Sequence, residues 1–147
     1  MRFFREITQN GVLRTALCAW FVAQVLKIFF ELWRTKRIKF SLLISSGGMP
    51  SSHTSLAVST STAIGITQGF YTPIFALAAV VSLVVMYDAS GIRRAAGNQA
   101  RVINDVMAHL EKSGIVLDKR LKEVLGHTPI EVAAGAILGV ATAIILT

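Results

Sequence analysis

A turn rich in glycine and serine precedes one histidine of the chain. It reads Ser45-Ser46-Gly47-Gly48-Met49-Pro50-Ser51-Ser52-His53. Glycines permit backbone conformations that point successive N–H groups at one spot, and serines add hydroxyl donors. The turn opens into a predicted helix whose N-terminus attracts negative charge, with His53 at its start. The pattern fits a phosphate-binding turn, and it also fits an ordinary capped loop.

A second histidine is followed four residues later by a carboxylate. In the segment that begins at Gly126, a capping box accounts for Thr128, Pro129 and Glu131 but not for His127. A carboxylate at this spacing can hydrogen-bond one imidazole nitrogen and leave the other available for attack. His127 is therefore a candidate nucleophile, oriented by Glu131.

Polar residues also interrupt an apolar stretch near the N-terminus. Gln24, Lys27, Glu31 and Arg34 share one helical face. Each charge at the centre of a bilayer costs at least about 2.5–3.5 kcal/mol, so this face must meet protein or water. An internal Lys27–Glu31 salt bridge would explain part of it, and a polar site would explain all of it.

These features together supply the parts of a phosphoryl-transfer site. Such a site needs positive charge around the phosphate, an in-line nucleophile and an acid for the leaving oxygen. Two histidines begin two different predicted spans on one side, and basic residues flank both: Lys27, Arg34, Arg93 and Arg94. His109 has no such setting and is predicted to lie on the surface.

Composition places these residues in a membrane protein of one domain, residues 1–147. The chain is 53% hydrophobic and only 16% charged, with a net charge of +7, whereas soluble domains average about 25% charged residues. The basic residues are split among long apolar stretches, which argues against a nucleic-acid partner. The single Cys18 excludes an internal disulfide.

We predict an all-α polytopic helical bundle with about four transmembrane helices and a cytoplasmic amphipathic helix. Four stretches approach the roughly 20 residues that a span needs: residues 11–33, 54–70, 72–87 and 129–146. A polar segment, 88–112, has apolar residues at helical spacing, and a shorter helix is predicted over 118–125.

The loops between these spans differ in charge. Eleven Lys or Arg fall in residues 34–53 and 88–127, and three lie near the N-terminus. The positive-inside rule then predicts a multi-pass protein of the cytoplasmic membrane whose candidate site faces the cytoplasm.

Three motifs resemble the divergent branch of the type-2 phosphatidic acid phosphatase superfamily, which is related to acid phosphatases and vanadium haloperoxidases. They are the Gly47–His53 turn, the Tyr87–Arg94 segment that contains Asp88, and the Gly126–Glu131 segment. The superfamily pattern is Lys-x6-Arg-Pro, Pro-Ser-Gly-His, then Ser-Arg-x5-His-x3-Asp. Lys27 and Arg34 reproduce the first spacing, but Thr35 replaces the proline, so Arg37 competes with Arg34. Leu121 occupies the place of the third-motif arginine. The candidates for its substitute are Arg93, Arg94, Arg120 and Lys122, of which we favour Arg93 or Arg94.

The resemblance implies a mechanism without metal or cofactor. His127 would attack phosphorus, Glu131 would orient its ring, and His53 would protonate the leaving alkoxide. Lys27, an arginine, Gly48 and the Ser51–Ser52 backbone would hold the phosphate oxygens. Related bundles usually have six helices, so a chain with four spans is either trimmed or completes its site as a homodimer.

The partners implied are membrane lipid and a lipid-phosphate substrate. Phosphatidylglycerol phosphate is the preferred one, because this branch is associated with phospholipid synthesis. Phosphatidic acid and an isoprenoid diphosphate remain alternatives, as does a protein that binds or transports phosphate or anionic lipid without cleaving it. A divalent-metal site at Asp88, Glu31 and Glu131 lacks a metal-binding spacing.

Overall fold

Six helices make up the described part of the chain, and four of them begin at a side-chain cap. The computed structural model describes residues 2–36, 48–113, 121 and 126–147, without the side chains of residues 2, 3, 34 and 93. The helices are α1 (Arg2–Gln9), α2 (Gly11–Thr35), α3 (Ser52–Gln68), α4 (Pro73–Ser90), α5 (Ile92–Lys112) and α6 (Pro129–Leu146). Asn10, Ser51, Thr72 and Thr128 each accept a hydrogen bond from a backbone N–H in the first turn.

Helix α3 lies at the centre and contacts α2, α4 and α6. It buries small polar residues whose hydroxyl groups bond neighbouring helices or their own backbone. Ser55 Oγ donates to the Ala19 carbonyl of α2 at 3.2 Å, and Ser82 Oγ of α4 donates to the Ala57 carbonyl of α3 at 2.8 Å. Hydroxyl groups are thus satisfied within the bundle, as an apolar solvent requires.

The packing of α3 on α6 depends on two glycines. A Cβ atom on Gly135 would lie 2.5 Å from the Ser51 carbonyl oxygen, and one on Gly139 would lie 2.7 Å from that of Ser55. Residue numbers increase in the same direction along both helices, so α3 and α6 run parallel. Their N-termini therefore lie at the same end of the bundle, with small residues allowing close approach.

The outer faces of the bundle are apolar. Large aliphatic side chains of α4 and α6, including Leu83, Val84, Ile137 and Ile145, are each more than 60% exposed. Within the described residues, three helical stretches are long and apolar enough to cross a membrane: Gly11–Trp33, Pro73–Lys112 (which comprises α4 and α5) and Pro129–Leu146. The all-α membrane bundle predicted from the sequence is confirmed.

Helix boundaries differ slightly from those predicted. The second and third spans were expected at 54–70 and 72–87, whereas α3 covers 52–68 and α4 covers 73–90. Ser51 caps α3 two residues early, and α4 continues through Asp88 to Ser90. The helix predicted over 118–125 lies outside the described residues except for Leu121.

Candidate functional site

His127 lies at the end of the bundle where α3 and α6 begin, and its side chain is 2% exposed. Its backbone N–H donates to the Ala89 carbonyl in the last turn of α4 at 3.0 Å. Its Nδ1 atom lies 3.1 Å from Oε2 of Glu131, one turn into α6. The ring is thus positioned by two different helices.

The contact with Glu131 determines which ring nitrogen can act as a nucleophile. A carboxylate accepts hydrogen bonds, so Nδ1 of His127 must be the protonated donor and Nε2 carries the lone pair. The same Oε2 also accepts from the Thr128 backbone N–H at 2.9 Å, which holds the carboxylate in place. The Nε2 atom of His127 is buried and has no hydrogen-bond partner in the described structure.

Burial also sets the charge state of His127. Desolvation lowers the pKa of its imidazole below the ordinary 6.5, and the hydrogen bond to Glu131 opposes this effect. The positive charge of Lys27 lowers the pKa further, as does the nearby His53. Because the net shift is downward, Nε2 of His127 is unprotonated at neutral pH.

Lys27 brings a positive charge to the same end of the bundle. Its side chain is 3% exposed, and Nζ donates to the hydroxyl of Ser52 at 3.3 Å. Gly48 lies over its aliphatic stem with a φ of +96°, a conformation that favours glycine. Lys27, Gly48 and Ser52, which are separated along the chain, are therefore brought together.

The first turn of α3 completes this end of the bundle. Ser51 caps the helix, and its own backbone N–H donates to the Glu131 carbonyl at 3.0 Å. That amide is therefore engaged in joining α3 to α6. His53 follows in the first turn with an exposed side chain, close enough to His127 to affect its pKa.

The other residues singled out from the sequence lie in α2, α4 and α5 or outside the described residues. Asp88 is half-buried beside Ala89, and Arg94 is exposed in the first turn of α5. Arg34 and Arg93 lie in α2 and α5, but their side chains are outside the described part, and Arg37 lies outside it altogether. His109, expected at the surface, is exposed. The functional roles of these residues stay predictions.

Two contacts at this end were missed by sequence reasoning. The Ala89 carbonyl that holds His127 is a backbone group, for which the sequence carries no signal. The side-chain amide of Asn104 pairs with both backbone groups of Leu121, donating at 2.8 Å and accepting at 2.8 Å. Asn104 falls within an otherwise helical pattern, and the presence of an amide side chain there was the available signal.

The described residues contain no group of His, Cys, Asp or Glu side chains that could hold a metal ion. The charged or titratable side chains that act on His127 are Glu131, Lys27 and His53.

The fold and this end of the bundle define a multi-pass helical membrane protein with two histidines at the start of two neighbouring helices. The model of the divergent PAP2 family matches residues 8–142, and the chain belongs to that family. The resemblance recognised in the three motifs is thus confirmed. The chain is 34% identical over 152 aligned residues to a Bacillus subtilis (strain 168) protein named "Uncharacterized membrane protein YuiD", with 96% of each chain covered. No solved structure matches the chain.

Proposed function

We propose that the protein is an integral membrane lipid-phosphate phosphatase that hydrolyses a phosphomonoester through a phosphohistidine at His127. The observation that carries this proposal is the state of the His127 ring. Nδ1 is bonded to Glu131, and the unprotonated Nε2 has no hydrogen-bond partner in the described structure. A buried nitrogen of this kind is suited to attack an electrophile that enters the site.

In the proposed first step, Nε2 of His127 attacks phosphorus while the bond from phosphorus to the ester oxygen breaks. The leaving alkoxide takes a proton from His53, and Glu131 stabilises the charge that develops on the His127 ring. In the second step, a water molecule attacks the phosphohistidine and gives a proton back to His53. Phosphate and free His127 result, so protons and charges balance over the cycle.

The phosphate oxygens would be held by Lys27, Ser52, the Gly48 turn and the N-terminus of α3. A buried ammonium group next to a helix N-terminus is a suitable anion site, because both supply positive charge without solvent. Ser51 would support this site through its bond to Glu131. We retain Arg34, Arg93, Arg94 and Asp88 as further phosphate or headgroup contacts.

Phosphatidylglycerol phosphate is the substrate that we propose. It carries a terminal phosphomonoester on a membrane lipid, and this negative charge fits a site at the end of the bundle where most of the basic residues lie. The positive-inside rule predicts that this end faces the cytoplasm, at the inner membrane of the cell. Attack by His127 needs no metal ion.

One observation favours a second candidate, a protein that binds phosphate or anionic lipid without cleaving it. Leu121 stands where the superfamily motif has an arginine, and its backbone is bound to Asn104. Loss of that positive charge would weaken transition-state stabilisation more than ground-state binding.

Phosphate release from a panel of lipid phosphates, with chelator present, tests the proposal. We expect turnover by the wild type and a loss of at least about 1,000-fold in His127→Ala, as for other nucleophile deletions. His109→Ala is the matched control, because His109 is exposed and bonded only to its own helix among the interactions that the structure describes. Absence of turnover in folded wild type on every lipid, with retained binding of the lipids, would favour the binding protein.

A further inference from the structure

Helix α5 exposes its aliphatic side, whereas the buried residues that the structure describes in it, Gly97 and Ala100, are small. Val102, Ile103 and Val106 are 62%, 46% and 54% exposed, and Leu110 is 38% exposed. Their spacing places them on one face. An open groove of about 400 Å³, lined by Asn98, Gln99, Val102 and Ile103, lies along the same face.

The opposite face of α5 is the one that the chain covers. Gly97 and Ala100 are buried, and the Asn104 amide binds the Leu121 backbone. These three residues are spaced by 3 and 4, so they share a face directed away from Val106. Among the described helices, α5 contacts only α4. The aliphatic stripe therefore has no partner within the described structure, and exposed apolar surface of this kind indicates an external one.

The position and charge of α5 identify that partner as a bilayer. Gly91 is the single residue between α5 and the membrane-spanning α4, so the helix begins at the membrane surface. Arg94, Arg101 and Lys112 share the polar face of α5, about 80–100° around the helix from Val102 at the edge of the aliphatic stripe. An apolar face combined with Lys and Arg on the polar face is the pattern of helices that lie in the interface and attract anionic headgroups.

We propose that α5 is an interfacial helix that inserts the stripe Val102, Ile103, Val106 and Leu110 into the bilayer surface and binds anionic lipid headgroups through the cations of its polar face. This docking holds α5 close to the membrane from which the candidate site receives its ligand. It does not depend on whether that site cleaves phosphate.

Depth-dependent quenching in the full-length protein tests the inference. In a Cys18→Ala background, a fluorophore is attached to Val106→Cys or to the matched position Glu111→Cys on the opposite face. The protein is reconstituted in phosphatidylcholine vesicles with and without phosphatidylglycerol, with a nitroxide near the top of the acyl chains. We expect quenching at Val106 to exceed that at Glu111 by ~3-fold or more. Equal quenching by the nitroxide at both positions would overturn the proposal. Quenching at Val106 that arises between labelled copies of the protein, and not from the nitroxide, would also overturn it.

A charge variant tests the anionic headgroup. Arg101→Gln with Lys112→Gln should abolish the increase in Val106 quenching that phosphatidylglycerol produces. Arg5→Gln with Arg14→Gln removes the same charge from exposed residues at the other end of the chain and should leave that increase intact. The headgroup contact is disproved if both double variants behave alike.

Discussion

The imidazole of His127 is the point at which four segments of the chain meet. The backbone N–H of His127 donates to Ala89 of α4, and its Nδ1 donates to Glu131 of α6. Lys27 of α2 and His53 of α3 lower the pKa of the ring. Each contact acts on a different property: position, tautomer and protonation. A ring controlled in all three respects is prepared to react in one way.

Replacing Glu131 by Gln tests the control of the tautomer. The amide has nearly the shape of the carboxylate, but it can donate a hydrogen bond to Nδ1 and thereby place the proton on Nε2. We expect kcat/KM for a lipid phosphate to fall by about 10²- to 10⁴-fold, as when triad carboxylates become amides. Unchanged kcat/KM in Glu131→Gln, with Thr128→Ala as a control for lost helix capping, would show that Glu131 has only a capping role.

The protonation of His127 gives a prediction about pH. Because burial lowers its pKa, the ring should titrate below pH 6.5 in the folded protein. Removing Glu131, which raises the pKa, should move the titration to still lower pH. The measurement is NMR of labelled histidines, with the His127 resonance identified by its absence in His127→Ala. Titration of that resonance at or above pH 6.5 in the wild type would contradict the burial account.

At this scale the sequence is informative about side chains and silent about backbone partners. The spacing of His127 and Glu131 predicts their hydrogen bond, because a carboxylate in the first turn of a helix can reach back to the residue before the N-cap. The polar face formed by Gln24, Lys27, Glu31 and Arg34 likewise predicts that the Lys27 side chain points into the bundle. The Ala89 carbonyl and the engaged Ser51 amide depend on how helices pack, which no local pattern specifies.

At the scale of helices, the parallel packing of α3 and α6 brings the two histidines together. Gly135 and Gly139 of α6 fit against the backbone of α3, so the first turns of the two helices lie side by side. The Gly-xxx-Gly spacing predicts close packing of α6 but does not name its partner. That α3 is the partner follows from the three-dimensional structure alone.

Gly139→Ala should therefore destabilise the bundle. The added Cβ would lie 2.7 Å from the Ser55 carbonyl oxygen and 3.0 Å from the Ser59 nitrogen, so backbone must move. We expect a loss of about 1–3 kcal/mol in the free energy of unfolding, measured by SDS titration in mixed micelles. Gly11→Ala is the control, since its Cβ would have no atom within 4 Å. Equal stability of the two variants would contradict this packing.

At the scale of the whole molecule, the basic residues are concentrated at one end of the bundle. The loops near the candidate site hold most of the basic residues, whereas the ends of α1 and α6 hold few. The distribution of basic residues and the apolar stretches can both be read directly from the sequence. For this reason the sequence predicts the membrane bundle well. The aliphatic face that α5 leaves exposed depends on which side the chain covers, and periodicity does not specify that.

Orientation can be measured with single cysteines in a Cys18→Ala background. Ser113→Cys, at the end of α5, should be protected from a membrane-impermeant maleimide in intact cells, because the positive-inside rule predicts that it faces the cytoplasm. Gln9→Cys, at the end of α1, should react. Both residues are exposed, so lysed cells, in which both should react, provide the control. Reversal of the pattern in intact cells would contradict the proposed orientation.

The covalent intermediate is the most direct test of the central claim. Wild-type protein in detergent is mixed with phosphatidylglycerol phosphate, quenched under alkaline conditions that preserve phosphohistidine, digested and analysed by mass spectrometry. The account predicts that a phosphoryl group accumulates on His127 of the wild type, in which His53 is unmodified. It predicts no such group in His127→Ala. Phosphate release by wild type with no modification of His127, or with phosphorylation of His53 in its place, would contradict it.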